Sequence, residues 1–151
     1  MSLSSRRILI TDQNEQSGQA LQQLVASWGY DAVIENVLAP SLESILKTDP
    51  TVVIDNNLLA ADDSFSVLRD LQAQQSGVPV ILLVEPNSID NAKRAVKEEL
   101  AYHCFEQPVD ADELRVEVER AVELTEARRE NEVLRRELQD RGAFGELVGG
   151  S

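Results

Sequence analysis

The acidic residues that could do chemistry in this sequence stand at the ends of two short apolar runs. Ile8-Leu9-Ile10 leads into Thr11-Asp12-Gln13-Asn14, and Val52-Val53-Ile54 leads into Asp55-Asn56-Asn57. In open α/β sheets, functional groups collect beyond the carboxyl ends of the strands. If these runs are neighbouring strands, Asp12 and Asp55 could share a hard cation, or Asp55 could stand as an exposed nucleophile. The alternative is that both acids only cap loops and helices, as aspartates commonly do. Asn56 is read as a loop residue. His103 and Cys104, each the only residue of its type, lie side by side in a short strand-like run and are assigned structural or surface roles. No GxGxxG, Walker phosphate loop, GxSxG or HExxH occurs, so dinucleotide, nucleoside triphosphate, hydrolase and zinc-protease chemistry lack local support.

The elements that must position these residues follow from periodicity. Strands are expected at Ile8–Ile10, Asp31–Glu35, Val52–Ile54, Val78–Val84 and Tyr102–Phe105, with Pro79 tolerated near the start of the fourth. Helices are expected from Glu15 to Trp28, stopped by Gly29, then Leu38 to Leu46, a third capped by Ser64 and running through Leu68 and Leu71, then Ser88 to Leu100, and a last one beginning at Asp110. Strands alternating with helices of this length imply a parallel sheet covered on both faces.

Composition narrows the function. The 151 residues suit one ordinary domain with an aliphatic core, because 42% are hydrophobic and only 4% aromatic. A net charge of −13 opposes direct contact with nucleic acid or anionic lipid. One cysteine excludes an internal disulfide and a cysteine-rich metal site. There is no apolar run of membrane-spanning length and no signal-peptide core at MSLSSRR, so a cytoplasmic protein is expected.

Several separated segments resemble one family. RILITDQNEQSGQALQQLVASWGYDAV resembles the start of a response-regulator receiver domain, PTVVIDNNLLAADDSF its phosphoacceptor segment, VPVILLV its fourth strand, and AYHCFEQPVDADEL its fifth strand and the start of its last helix. The resemblance covers residues 7 to 122. It implies a flavodoxin-like α/β fold with a five-stranded parallel sheet in the order 2-1-3-4-5, helices 1 and 5 on one face, and helices 2, 3 and 4 on the other. It places the phosphoryl-accepting aspartate at Asp55 and a frequent acid at Asp62. Asp12, Asp55 and the carbonyl of Asn57 match the family's magnesium ligands, and a cis peptide is implied before Pro108. Four signature positions depart from the pattern. Gln13 replaces an acid that ligates magnesium, Val84 the hydroxyl that touches the phosphoryl group, Gln107 the conserved lysine, and Cys104 the switch aromatic. Magnesium is therefore expected to bind weakly, with no required cofactor, and phosphoryl transfer from a sensor histidine kinase is put in doubt.

The C-terminal region carries a second pattern. Residues 113–141 hold nine acidic and seven basic residues without Gly or Pro. Leu124, Asn131 and Leu138 at heptad position a, with Ala127 and Leu134 at d, form one seam. Glu123 and Glu130 at g then face Arg128 and Arg135 at e of a partner helix, which favours a parallel homodimer; the alternative is a single solvated helix. LRRELQDRGAFGELVGGS resembles the linker and opening of the AAA-type ATPase domain of bacterial sigma-54-dependent enhancer-binding activators, with the glycines of the tail expected to end the helix. The expected division is a receiver-like domain over 1–122, a coiled-coil linker over 123–141, and the start of a truncated ATPase domain over 142–151.

Together these features predict a non-catalytic regulatory domain of a two-component-type transcription regulator. It would control an attached ATPase output domain through dimerisation. A working receiver phosphorylated on Asp55 is the first alternative, and a small flavodoxin-like ligand or flavin binder the second.

Overall fold

The computed structural model describes residues 6–37, 41–57, 64–73 and 77–149. The start expected for the second helix, Leu38–Pro40, and the acid Asp62 lie outside them. Strand β1 is Arg7–Thr11, β2 Asp31–Glu35, β3 Val52–Asp55, β4 Val80–Val84 and β5 His103–Glu106. All pair in parallel, in the order β2-β1-β3-β4-β5. Helices α1 (Glu15–Ser27), α2 (Leu42–Thr48), α3 (Ser64–Ala73), α4 (Ile89–Lys97) and α5 (Ala111–Gly149) complete the chain, with a 3-10 turn at Pro86–Ser88. The fold class and strand order are those that the sequence pattern and the receiver resemblance imply.

Local signals set most boundaries. The Asn14 side chain caps α1 by accepting from Ser17 N at 3.1 Å, and Gly29 leaves the helix at φ 97°. Ser41 accepts from Ser44 N at 3.0 Å, so the described part of α2 opens at Leu42. Ser64 is the first residue of α3 itself. Strand β4 begins only after Pro79, whose carbonyl still accepts from Val53 N at 3.0 Å. The carboxylate of Asp110 accepts from Asp112 N and Glu113 N, which starts α5.

Both faces of the sheet are covered. Ile8, Ile10, Ile54 and Ile81 pack with Leu21 and Val25 of α1 and with Leu114, Val118, Ala121 and Val122 of α5. On the other face, Leu9, Val53 and Leu82 pack with Ile45 of α2, Leu68 and Leu71 of α3, and Ala92 and Ala95 of α4. Strands β1, β3 and β4 are buried nearly throughout, which explains their continuous apolar runs.

Helix α5 departs from expectation at its end. It does not stop at Gly142 or Gly145 but continues to Gly149. Each glycine costs a helix about 1 kcal/mol relative to alanine, and Ala143, Phe144, Glu146 and Leu147 around them supply no breaker. Earlier in the same helix, four residues fasten it to the amino-terminal edge of the sheet. Thr125, almost fully buried, donates its hydroxyl to the Thr51 carbonyl at 2.7 Å. Arg128 donates to the Gly77 carbonyl at 2.9 Å, and Arg129 to the Pro50 carbonyl at 3.0 Å and Asp49 at 3.1 Å. Glu126 accepts both arms of Arg6, at 2.9 and 3.0 Å.

Candidate functional site

Thr11 and Asp55 are register partners across the parallel β1/β3 pair, so their side chains emerge on the same side of the sheet. The Thr11 hydroxyl donates to Asp55 Oδ2 at 2.7 Å, and the backbone N–H of Asn57 donates to Oδ1 at 2.7 Å. Asp55 is 0% exposed. It does not stand free at the surface, as an exposed nucleophile would.

Asp12 follows β1 directly and is 3% exposed. Its Oδ1 accepts from Asn14 N at 2.9 Å, and its Oδ2 accepts from Ser17 Oγ at 2.5 Å and Asn56 Nδ2 at 2.7 Å. Gly18 lets α1 come this close, because a Cβ there would strike Ile34 and stand 3.3 Å from the Asp12 Cβ. Asn36 of the β2–α2 loop donates to the Asp12 carbonyl at 3.1 Å. The backbone N–H of Gln13 donates to Asn57 Oδ1 at 2.7 Å. Gln107 Nε2 donates to Asn56 Oδ1, and Gln107 is joined to Pro108 by a cis peptide, as the resemblance implied.

The structure thus brings Asp12, Gln13, Asn56, Asn57 and Gln107 together around an open cleft of about 450 Å³, shared with Asn14 and Ser17. A second hollow of about 130 Å³ lies beside it, lined by Asn56, Asn57, Leu83, Val84, Glu85, Ser88 and Gln107. Val84 brings a methyl surface there, and the hydroxyl comes from Ser88. Cys104 sits apart, opposite Leu82 on β5 and packed toward the α2–α4 face. Burial raises its thiol pKa, with nearby Lys93 opposing, so it stays protonated and poorly nucleophilic at neutral pH. His103 stacks on Phe105 with ring centroids 4.7 Å apart and lies 4.0 Å from a Glu117 oxygen, outside the cleft.

The arrangement offers a hard cation little. Among the described residues no group of three or more His, Cys, Asp or Glu side chains could hold a metal ion. The two carboxylates already accept hydrogen bonds from neutral donors, with which an ion would have to compete. Thr11, Ser17 and Asn56 do this work, and no motif marked them. The alternation that puts Thr11 beside Asp55 was available in the sequence, whereas the Asn56 contacts depend on how three loops meet.

No protein-family model matches the chain. It is 26% identical over 115 residues to the transcriptional regulatory protein ZraR of Escherichia coli strain K12, covering 76% of this chain and 26% of that protein. It is 29% identical over 146 residues to the C4-dicarboxylate transport transcriptional regulatory protein DctD of Pseudomonas aeruginosa, covering 96% of this chain and 31% of that protein. In fold it is similar to a response regulator receiver domain protein from Clostridium thermocellum, with a TM-score of 0.70 and 22% identity over 80% of this chain and 97% of that one. In sequence and in fold the chain is similar to response-regulator receiver domains. The chain spans about a quarter to a third of the length of the curated relatives it matches. Its strand order is the one that the resemblance implies, with Asp12 and Asp55 kept at the strand ends and Gln13, Val84 and Gln107 departing from the pattern.

Proposed function

We propose that this receiver regulates an attached output domain by its association state, without serving as an efficient phosphoryl acceptor. The observation that carries the reading is the closed acceptor position. Asp55 is fully buried, its carboxylate is held by Thr11 and Asn57, and Val84 and Gln107 supply neither the hydroxyl nor the cation that phosphoryl transfer draws on.

Dimerisation is supported by α5. Beyond Arg129 its residues up to Asp140 are exposed, with Leu134 at 49% and Leu138 at 65%. Ala127 and Asn131 of the same seam are exposed as well, and Leu124 is half-buried against the domain. Apolar side chains at this spacing on a helix of 39 residues suit a parallel two-stranded coil. In this reading residues 1–122 are the receiver, 123–141 the dimerising linker, and 142–151 the start of an ATPase domain that acts on sigma-54 polymerase. The acidic surface leaves DNA contact to another part of the cytoplasmic regulator, and no membrane contact is involved.

The test combines two measurements on the chain as given. With magnesium and acetyl phosphate, intact mass should show Asp55 unmodified. Sedimentation equilibrium over a concentration series should show twice the chain mass. Stoichiometric phosphorylation would overturn the reading in favour of a working receiver served by a sensor histidine kinase. A monomer at tens of micromolar would overturn the dimeric mechanism.

A further inference from the structure

Asp12 accepts three hydrogen bonds, and its Oδ2 alone takes two, from Ser17 Oγ and Asn56 Nδ2. A carboxylate can only accept, so the Asn56 amide must turn its NH2 toward Asp12 and its oxygen toward Gln107. That oxygen receives Gln107 Nε2. The backbone of Asn56 is pinned as well, its N–H donating to the Thr11 carbonyl at 2.9 Å, and the Gln107 N–H donates to the Val84 carbonyl at 2.8 Å. One chain of side chains, a carboxylate followed by two neutral amides, therefore runs from the end of β1, across the end of β3, to the end of β5. Asp110, three residues beyond Gln107, caps α5.

We propose that the Asn56 amide is a built-in substitute for a divalent cation, joining Asp12 to Gln107 and so positioning the loop that starts α5. The proposal rests on the reading of this chain as a receiver that does not take up phosphate, and it names how the loops are held without one. A cation reaching Asp12 Oδ2 would displace two donors and face the positive end of the Asn56 amide dipole. The link needs no cation to form, and magnesium would have to displace it to reach Asp12 Oδ2. Asn56 acts here as a positioning residue, through Gln107.

Backbone amide NMR of the whole chain tests this with wild type, Asn56→Asp and Gln107→Ala. Wild type should show no saturating shift at Asp12 or Asn57 as magnesium chloride is raised through the millimolar range. Asn56→Asp removes the competing donor and adds an oxygen ligand, so saturable shifts should appear there, with affinity about tenfold or more above wild type. Gln107→Ala leaves Asp12 and Asn56 in place and removes the last hydrogen bond of the chain. Amide hydrogen exchange from Gln107 to Glu113 should then quicken by about tenfold. Magnesium binding to wild type as tight as to Asn56→Asp would overturn the proposal. So would unchanged exchange in Gln107→Ala, which decides the matter alone if Asn56→Asp does not fold. Labelling of wild-type Asp55 by acetyl phosphate would overturn the functional reading only, because the exchange measurement involves no phosphodonor.

Discussion

Thr11 is the residue on which the buried acceptor position leans. Its hydroxyl lies 2.7 Å from Asp55 Oδ2, and both residues are 0% exposed. Thr11→Val keeps the shape and deletes the donor, taking one hydrogen bond away from a buried carboxylate. Such a loss costs about 1–3 kcal/mol, and the urea midpoint of Thr11→Val should fall accordingly with an unchanged slope. A midpoint equal to that of wild type would mean that Asp55 is held by other groups. At this scale the sequence disclosed the acids but not their partners. Asp12 and Asp55 announce themselves by ending apolar runs, and the two glutamines, the valine and the cysteine stand out against the receiver pattern. Asn56 reads as an ordinary loop residue, because nothing in an Asp-Asn-Asn run says which asparagine will meet a glutamine from the far end of the chain.

Among the elements, strands and helices with strong periodicity were legible to within a few residues. Val52–Ile54 is continuous because β3 is buried on both faces, and the spacing of Leu114, Val118, Ala121 and Val122 in the sequence marks the inward stripe of α5. The tail glycines do not stop α5, because a glycine ends a helix only where the chain turns. The fastening of α5 has no signature in the sequence pattern. A heptad pattern treats a helix as free, and so it assigned Arg128 to a partner's Glu123, whereas within the chain Arg128 is bound to the Gly77 carbonyl. The seam available to a second copy therefore lies mainly beyond Arg129. Leu134→Ala should weaken self-association by about 1–3 kcal/mol in a sedimentation series while leaving the melting of the domain unchanged, because Leu134 is about half exposed in the single chain. Equal association of mutant and wild type would place the interface elsewhere.

For the whole molecule, the fastening and the length of α5 act together. Thr125, Glu126, Arg128 and Arg129 fix the helix to three separate segments of the domain, and the helix then continues without interruption to Gly149. A rod held in this way conveys angle as well as distance. Each residue of an α-helix advances about 1.5 Å and turns about 100°, so in the proposed function an attached output domain would meet the receiver at a set rotational phase. Inserting two residues after Arg136 turns whatever follows to nearly the opposite side, while inserting seven returns it almost to its original bearing at a greater distance. In a full-length regulator, the seven-residue insertion should preserve control of the output domain's ATP hydrolysis and the two-residue insertion should abolish it, with receiver stability equal in both. If the two insertions behave alike, the linker works as a tether. If they differ, the regulator is geared like a camshaft, and its receiver signals by the direction in which it points its neighbour.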